Sequence, residues 1–460
     1  MIKLTPAEVK LFGILLETAG GSGSILRVAG GWVRDKLLGR PGGNDIDVAV
    51  AGESGASFAE KLASKLEASE LELRGYGVIK PNPEKSKHLE TATMDLLGFS
   101  IDFTGLRGED YSENSRVPQI VPGTPEEDSL RRDFTINALF YNLHSEKIED
   151  FTGLGVGDLA SKLLRTPLAP LKTFFDDPLR VLRGLRFAAR FGFEVEADTW
   201  TAMAHPSVKE ALEQKVSRER VGKEFLGVYK AAQPAPRPLI FYELAHKLDT
   251  LAPLLLAQHS EIERGLELCR RAEAGHPLFV ARMAEDKNLD LSPDYLGLLG
   301  HLALLTLPCF TRWHKEKSNL SAWEGLKLSK KFCDLLYKIQ TQISSLAEVS
   351  SLQDQVAKKV KLAMWIRDTG VFWRALLVLF DATFQPPTSQ AIEDFAETEL
   401  IANFAEVKPL FDGNELRKIF GLNGKEIGDK MKEILIYQAL HPTKTKEDYL
   451  KEHLVKSTVG

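Results

Sequence analysis

Arg27-Val-Ala-Gly-Gly-Trp-Val-Arg-Asp35, followed by Gly43-Asn-Asp-Ile-Asp-Val48, is the stretch on which the fold turns. Ile25–Ala29 is short and apolar and runs straight into Gly30 and Gly31, as a buried strand feeding a helix would. Ile46–Val50 reads as a second buried strand. Asp45 and Asp47 stand two apart on it, so period 2 puts both carboxylates on one face while Ile46 and Val48 point into the core. At Gly30 and Gly31 the missing side chains let backbone N–H groups approach a phosphate at a helix N-terminus. Arg34 adds a fixed cationic fork for a triphosphate. Taken alone, a Gly-Gly pair is more often a plain turn and an Asp-x-Asp more often a solvated strand end. The three features so close together depart from chance.

Two carboxylates held this near repel unless a cation lies between them. Hard oxygen donors with bridging phosphates suit Mg²⁺, so metal-assisted nucleotidyl transfer is the chemistry to expect. Asp102, in Ile101-Asp-Phe103, reads either as a third carboxylate or as an ordinary strand-edge acid. Outward from this stretch, Tyr76–Ile79, Thr91–Met94, Phe99–Phe103, Ala138–Leu143 and Ile148–Phe151 are strand candidates, and Ser57–Ser69 has helical spacing. Pro81-Asn-Pro-Glu-Lys-Ser-Lys-His88 is a polar, Pro-interrupted loop. After Pro167 the strand signal ends. Helices follow one another, with breaks at Gln233–Pro238, His276-Pro277, Ser292-Pro293, Gln385–Pro387 and Gly421–Gly424. The fold class is α+β: a head with a small mixed β-sheet, then an elongated all-α remainder.

The whole chain fits this picture. Its 460 residues suggest about three domains, or one with a long appendage. A 43% hydrophobic and 27% charged composition excludes disordered and fibrous classes. The 59 Lys and Arg against 64 Asp and Glu leave a net charge of −5, so any polyanion partner must be held by a local basic face. Cys269, Cys309 and Cys333 form neither a disulfide framework nor a zinc spacing and are expected in the core. There is no apolar run of transmembrane length. Thr5-Pro6 opens a helix where a signal peptide or presequence would show a different charge pattern.

Two further clusters carry chemistry. In Glu126-Glu-Asp-Ser-Leu-Arg-Arg-Asp-Phe-Thr-Ile-Asn-Ala-Leu139, Arg132 can contact phosphates and Asp133 or Asn137 can accept from ribose hydroxyls. A helix with i,i+4 charge pairs explains it equally well. In Thr173-Phe-Phe-Asp-Asp-Pro-Leu-Arg-Val-Leu-Arg-Gly-Leu-Arg-Phe-Ala-Ala-Arg190, Pro178 is placed as at a helix N1 position after an acidic pair. Arg180, Arg183, Arg186 and Arg190 then share a face about 120° wide. A solvated face would mix signs; an all-arginine stripe favours a polyanion.

Together these motifs resemble the class II tRNA nucleotidyltransferases, the CCA-adding enzymes, in their eukaryote-like form. Arg218-Glu-Arg220, the loop Asn82–Thr93 and the tail Leu410-Phe-Asp-Gly-Asn-Glu-Leu416 with Phe420-Gly-Leu422 are also similar to that family. The likeness is dense through residue 225 and rests on helical character alone from about 230 to 400. The family motif usually begins Glu-Asp where this chain has Asp176-Asp177. The resemblance implies a nucleotidyltransferase head at 1–160, a helical neck for base selection at 161–250, a body at 251–400 and a tail at 401–460, the last two binding tRNA. It implies that Asp45 and Asp47 are catalytic and bind two Mg²⁺ ions. Gly30, Gly31, Arg34, Arg132, Asp133 and Asn137 would hold the nucleotide. Asp177 and Arg180 would read the base edge of CTP or ATP, backed by Arg183 and Arg186. An Arg and an Asp at i,i+3 can form one pairing edge of donors and acceptors.

The expected activity is template-independent addition of CCA to the 3′ end of tRNA from CTP and ATP. The alternatives are CC-only or A-only addition, a poly(A) polymerase on the same head, a small-molecule nucleotidyltransferase, and a non-catalytic tRNA-binding protein. The loop 77–93 favours the full CCA reaction, and the intact Asp-x-Asp argues against a decayed site. Arg190, Arg218, Arg220 and Lys223 are the expected RNA contacts, on one side of the neck, toward the acceptor–TΨC minihelix. No membrane and no obligate protein partner is implied. The expected location is the cytoplasm, with nuclear or organellar pools compatible.

Overall fold

The computed structural model describes residues 2–40, 43–67, 75–79, 91–110, 119–230, 237–286, 289, 291–310, 326–384 and 387–454. The Pro-interrupted loop 81–88, most of the 233–238 break and Gln385 fall outside these. The chain divides into two compact units, Met1–Val216 with Ala232–Arg237, and Ser217–Ala231 with Pro238–Gly460.

In the first unit Thr5 opens helix α1 (Pro6–Ala19). Its hydroxyl accepts from the Glu8 backbone N–H at 3.2 Å, and the Glu8 carboxylate accepts from the Thr5 N–H at 2.7 Å. This reciprocal cap satisfies donors that the helix leaves open. The following elements are β1 (Ile25–Ala29), α2 (Gly31–Leu37), β2 (Asp45–Ala51), α3 (Gly55–Glu67), β3 (Gly75–Ile79), β4 (Thr91–Leu96) and β5 (Phe99–Gly105). Then come β6 (Arg107–Asp110), β7 (Gln119–Pro122), α4 (Pro125–Leu130), β8 (Phe140–Asn142) and β9 (Lys147–Glu149). Seven strands form one mixed sheet in the order β3-β4-β5-β2-β1-β8-β9. Only the β2–β5 pairing is parallel, with Asp47 opposite Asp102.

The sheet has two unlike faces because β2 alternates. Asp45 and Asp47 are exposed while Ile46 and Val48 are buried. The buried face lies under α3, where the Phe58 and Phe103 rings sit 5.4 Å apart and Leu62 and Leu66 are buried. Each such side chain contributes about 1.5–3 kcal/mol on burial. The carboxylates stand on the opposite face.

Local differences from the sequence reading have physical reasons. The expected strand Ala138–Leu143 is shorter, because Thr135–Asn137 forms a 3₁₀ turn ahead of β8. The strand expected at Ile148–Phe151 runs from Lys147 to Glu149, in register with β8. Strand structure persists past Gly155–Ser161 (α5): Leu163–Leu164 (β10) pairs in parallel with Glu194–Val195 (β11). These are two-residue strands, too short to show a period. Pro170–Asp176 (α6) precedes Arg180–Phe191 (α7), so Pro178 is not the first helical residue. The Asp177 carboxylate accepts from the Leu179 N–H at 3.2 Å, and this turn delays the helix to Arg180.

The described part of the second unit is helical. It begins with Arg218–Gly227 (α10, after Ala197–Met203, α8, and Pro206–Lys215, α9) and includes the 21-residue helix Lys330–Ser350. Helices start at His276-Pro277 and at Pro293, where proline takes an early position that needs no N–H. Near the C-terminus, Phe411, Leu416, Ile434, Tyr437 and Tyr449 form a small core. All three cysteines are buried and free. No helix among the described residues is long and apolar enough to cross a membrane.

Candidate active site

The turn at Gly30 begins the site. Its backbone has φ 68° and ψ −124°, a region open to glycine and strained for other residues. A Cβ there would stand 3.1 Å from Arg132 Nη1 and 4.0 Å from Asp47 Oδ2, so this guanidinium and this carboxylate both overlook the turn. Gly31 is the first residue of α2, and the Gly30 N–H is taken by the Leu139 carbonyl at 3.1 Å. Asp45 and Asp47 project from β2 on the open face. Asp102 lies beside Asp47 in register, and its carboxylate accepts from the Thr93 hydroxyl at 2.6 Å. Among the described residues no three His, Cys, Asp or Glu side chains gather as a metal cage. The protein therefore offers an open row of hard carboxylate oxygens, a donor set that fits Mg²⁺ completed by phosphates and water.

The arginines are more constrained than their sequence suggests. Arg34 is buried; its Nε donates to Asp35 at 2.8 Å and its Nη1 to the Asn137 side-chain oxygen at 2.6 Å. Its guanidinium lies 4.5 Å from the Phe191 ring centroid and 5.3 Å from that of Phe187, a stacked cation–π arrangement. Burial lowers its pKa, which Asp35 counteracts; an arginine stays charged regardless. Arg132 pairs with Asp128 at 2.8 Å and lies 5.0 Å from the Phe140 ring. The i,i+4 pairing that the sequence allowed is thus present. Arg180 donates to the Thr173 carbonyl at 3.2 Å and to the Arg131 carbonyl at 2.6 Å.

Asp133 is buried among donors. One oxygen accepts from the Phe134 N–H at 2.8 Å and the Asn137 amide at 2.9 Å. The other accepts from Arg183 Nε at 2.8 Å and Nη2 at 2.7 Å. Burial pushes its pKa up, but Arg183 and Asn137 outweigh that and hold it below the usual carboxylate range. On α7, Arg186 lies 4.5 Å from the Phe187 ring and Arg190 5.4 Å from that of Phe191. Arg218, Arg220 and Lys223 are on α10, in the second unit, where Lys223 pairs with Glu219 at 2.7 Å.

Asp45, Asp47, Gly30, Gly31, Arg34, Arg132, Asp133, Asn137, Asp177, Arg180, Arg183, Arg186 and Arg190 all belong to the first unit. The structure adds partners that the sequence reading did not single out: Thr93 on Asp102, Asp35 on Arg34, and the phenylalanines of α7 under the guanidiniums. Thr93 could have been found by strand pairing, since it sits opposite Asp102. The seat of Arg34 on Phe191 has no local signal at all.

A Gly-Gly turn overlooking paired carboxylates on a mixed sheet defines a nucleotidyltransferase head, and residues 26–165 match the family of the poly A polymerase head domain. The chain is 34% identical to tRNA nucleotidyltransferase cca2 of Schizosaccharomyces pombe, with 97% of each covered. It is 33% identical to the mitochondrial CCA tRNA nucleotidyltransferase of Saccharomyces cerevisiae, over 92% of this chain and 87% of the relative. The chain belongs to the tRNA nucleotidyltransferase family. Its fold is shared with a CCA-adding enzyme solved in complex with CTP, at a TM-score of 0.71 and 22% identity, covering 98% of this chain and 96% of that one. The CCA-adding enzyme of Thermotoga maritima, complexed with tRNA, superposes with a TM-score of 0.67 at 21% identity, with the same coverage.

Proposed function

We propose that this chain adds CCA to the 3′ end of tRNA from CTP and ATP without a nucleic-acid template. The observation that carries the reading is the pair Asp45 and Asp47 on the open face of β2, overlooked by the Gly30 turn and Arg132. Asp45 and Asp47, with Asp102 alongside, are the residues that would hold two Mg²⁺ ions, whose charge would stabilise the attacking and leaving oxygens. The terminal 3′-hydroxyl of tRNA attacks the α-phosphorus of CTP. The bond to pyrophosphate breaks, and the chain grows by one nucleotide; a second CTP and then ATP follow. Arg132, held by Asp128, offsets charge on the triphosphate. Asp177 and Arg180 read the base edge, with Arg180 kept in place by two backbone carbonyls.

The division into a catalytic head at 1–160, a base-selecting neck at 161–250 and tRNA-binding segments at 251–400 and 401–460 belongs to this proposal. So do the RNA contacts of Arg190, Arg218, Arg220 and Lys223 with the acceptor–TΨC side, and a cytoplasmic site of action. The mitochondrial relative supports an organellar pool as well. The test is sequencing of the 3′ products made from tRNA lacking its end, supplied with CTP, ATP or both. The unmodified protein should yield full CCA. Asp45→Ala with Asp47→Ala should yield no addition while tRNA binding persists. Incorporation of CTP by the double variant would sink the assignment.

A further inference from the structure

Asp133 has no room left for a substrate hydroxyl at its inner oxygen. That oxygen accepts from the Phe134 N–H and the Asn137 amide, and the outer oxygen takes two donors of Arg183. Asn137 in turn accepts from Arg34 through its own side-chain oxygen at 2.6 Å. The chain of contacts Arg34–Asn137–Asp133–Arg183 therefore runs from the helix behind the Gly30 turn to the helix that carries Arg180. The two ends meet again, since Arg34 stacks on Phe187 and Phe191 of that same helix. At Gly184 a Cβ would come within 2.8 Å of the Phe134 ring, so α7 is seated directly on the segment that holds Asp133.

We propose that Asp133 is a positioning residue for nucleotide selection: its carboxylate fixes Arg183 and, through Asn137, Arg34, and so sets α7 against the Gly30 turn. Resting on the reading of α7 as the base-selecting helix, this gives Asp133 a role in base choice through other residues and no contact with the ribose. A side chain buried among four donors acts by what it orients. Asp133→Asn keeps the acceptor facing Asn137 but turns an amide toward Arg183, where donor meets donor. Removing one partner of a buried pair leaves the other charge uncompensated.

The test compares the unmodified protein, Asp133→Asn, Arg183→Gln and the double variant. KM and kcat are measured for CTP, ATP and 2′-deoxy-CTP, with Tm as a control for folding. Discrimination between CTP and ATP at each step should fall about tenfold in either single variant, and no further in the double. The preference for CTP over 2′-deoxy-CTP should stay as in the unmodified protein. Loss of that ribose preference in Asp133→Asn, additive effects in the double variant, or unchanged base discrimination in a folded variant would each overturn the relay. Arg183 reaches the surface, so Arg183→Gln reads the same link if Asp133→Asn fails to fold. An unmodified protein that adds no CTP would instead refute the proposed function, which separates the two failures.

Discussion

Gly30 shows how one residue can hold both conformation and chemistry. Its positive φ is open to glycine, and its missing side chain leaves room for the Arg132 guanidinium 3.1 Å from where a Cβ would stand. Gly30→Ala meets both obstacles. It should cost about 1–3 kcal/mol in backbone strain, lower Tm by several degrees and displace Arg132. Thermal unfolding and nucleotide titration check this; an alanine variant with unchanged Tm and unchanged KM for CTP would contradict it. The motif around Gly30 was legible because turn chemistry is local. The partners of Arg34 were not, since Asn137 and Phe191 arrive from distant parts of the chain.

At the scale of elements, α1 holds α2. Glu8 is buried and accepts from Lys36 Nζ at 2.7 Å and Trp32 Nε1 at 3.0 Å, while capping its own helix. Glu8→Ala leaves an ammonium and an indole N–H buried without their acceptor, at a cost of about 3 kcal/mol. Urea denaturation should show a lower midpoint with an unchanged slope. Burial pushes the Glu8 carboxyl up, but Lys36, Thr5 and Trp32 outweigh it and hold the group below its ordinary value of 4.5. A depressed carboxyl contributes its stability above the unfolded value and loses it as pH falls from there through the folded one. Glu8→Gln should therefore flatten the acid side of the stability profile. The helix and its Thr5 start are readable from sequence; the clamp on α2 is not, because Lys36 and Trp32 become neighbours of Glu8 only by packing. The α7 stripe makes the same point. Four arginines without an acid on their own helix looked like an open polyanion face, yet one finds its counter-charge in Asp133.

Over the whole molecule, a net charge of −5 means that RNA must be gripped locally. For about four phosphate contacts, raising salt from 50 to 200 mM should weaken tRNA binding about a hundredfold. Filter binding across that range measures the slope, and a flat profile would argue against phosphate contacts as the grip. By itself the sequence determined the α+β head, the helical remainder, the shared face of Asp45 and Asp47 and the motif set that resembles the tRNA nucleotidyltransferases. All of these follow from period, turn chemistry and residue order, which act over a few positions. Only the tertiary structure decided which arginines are already committed inside the protein, that Asp102 stands beside Asp47, and that Asp133 is walled in by donors. Those depend on strand register and on helices packed from far along the chain, where a carboxylate and its guanidinium are joined by folding and by nothing in the local sequence.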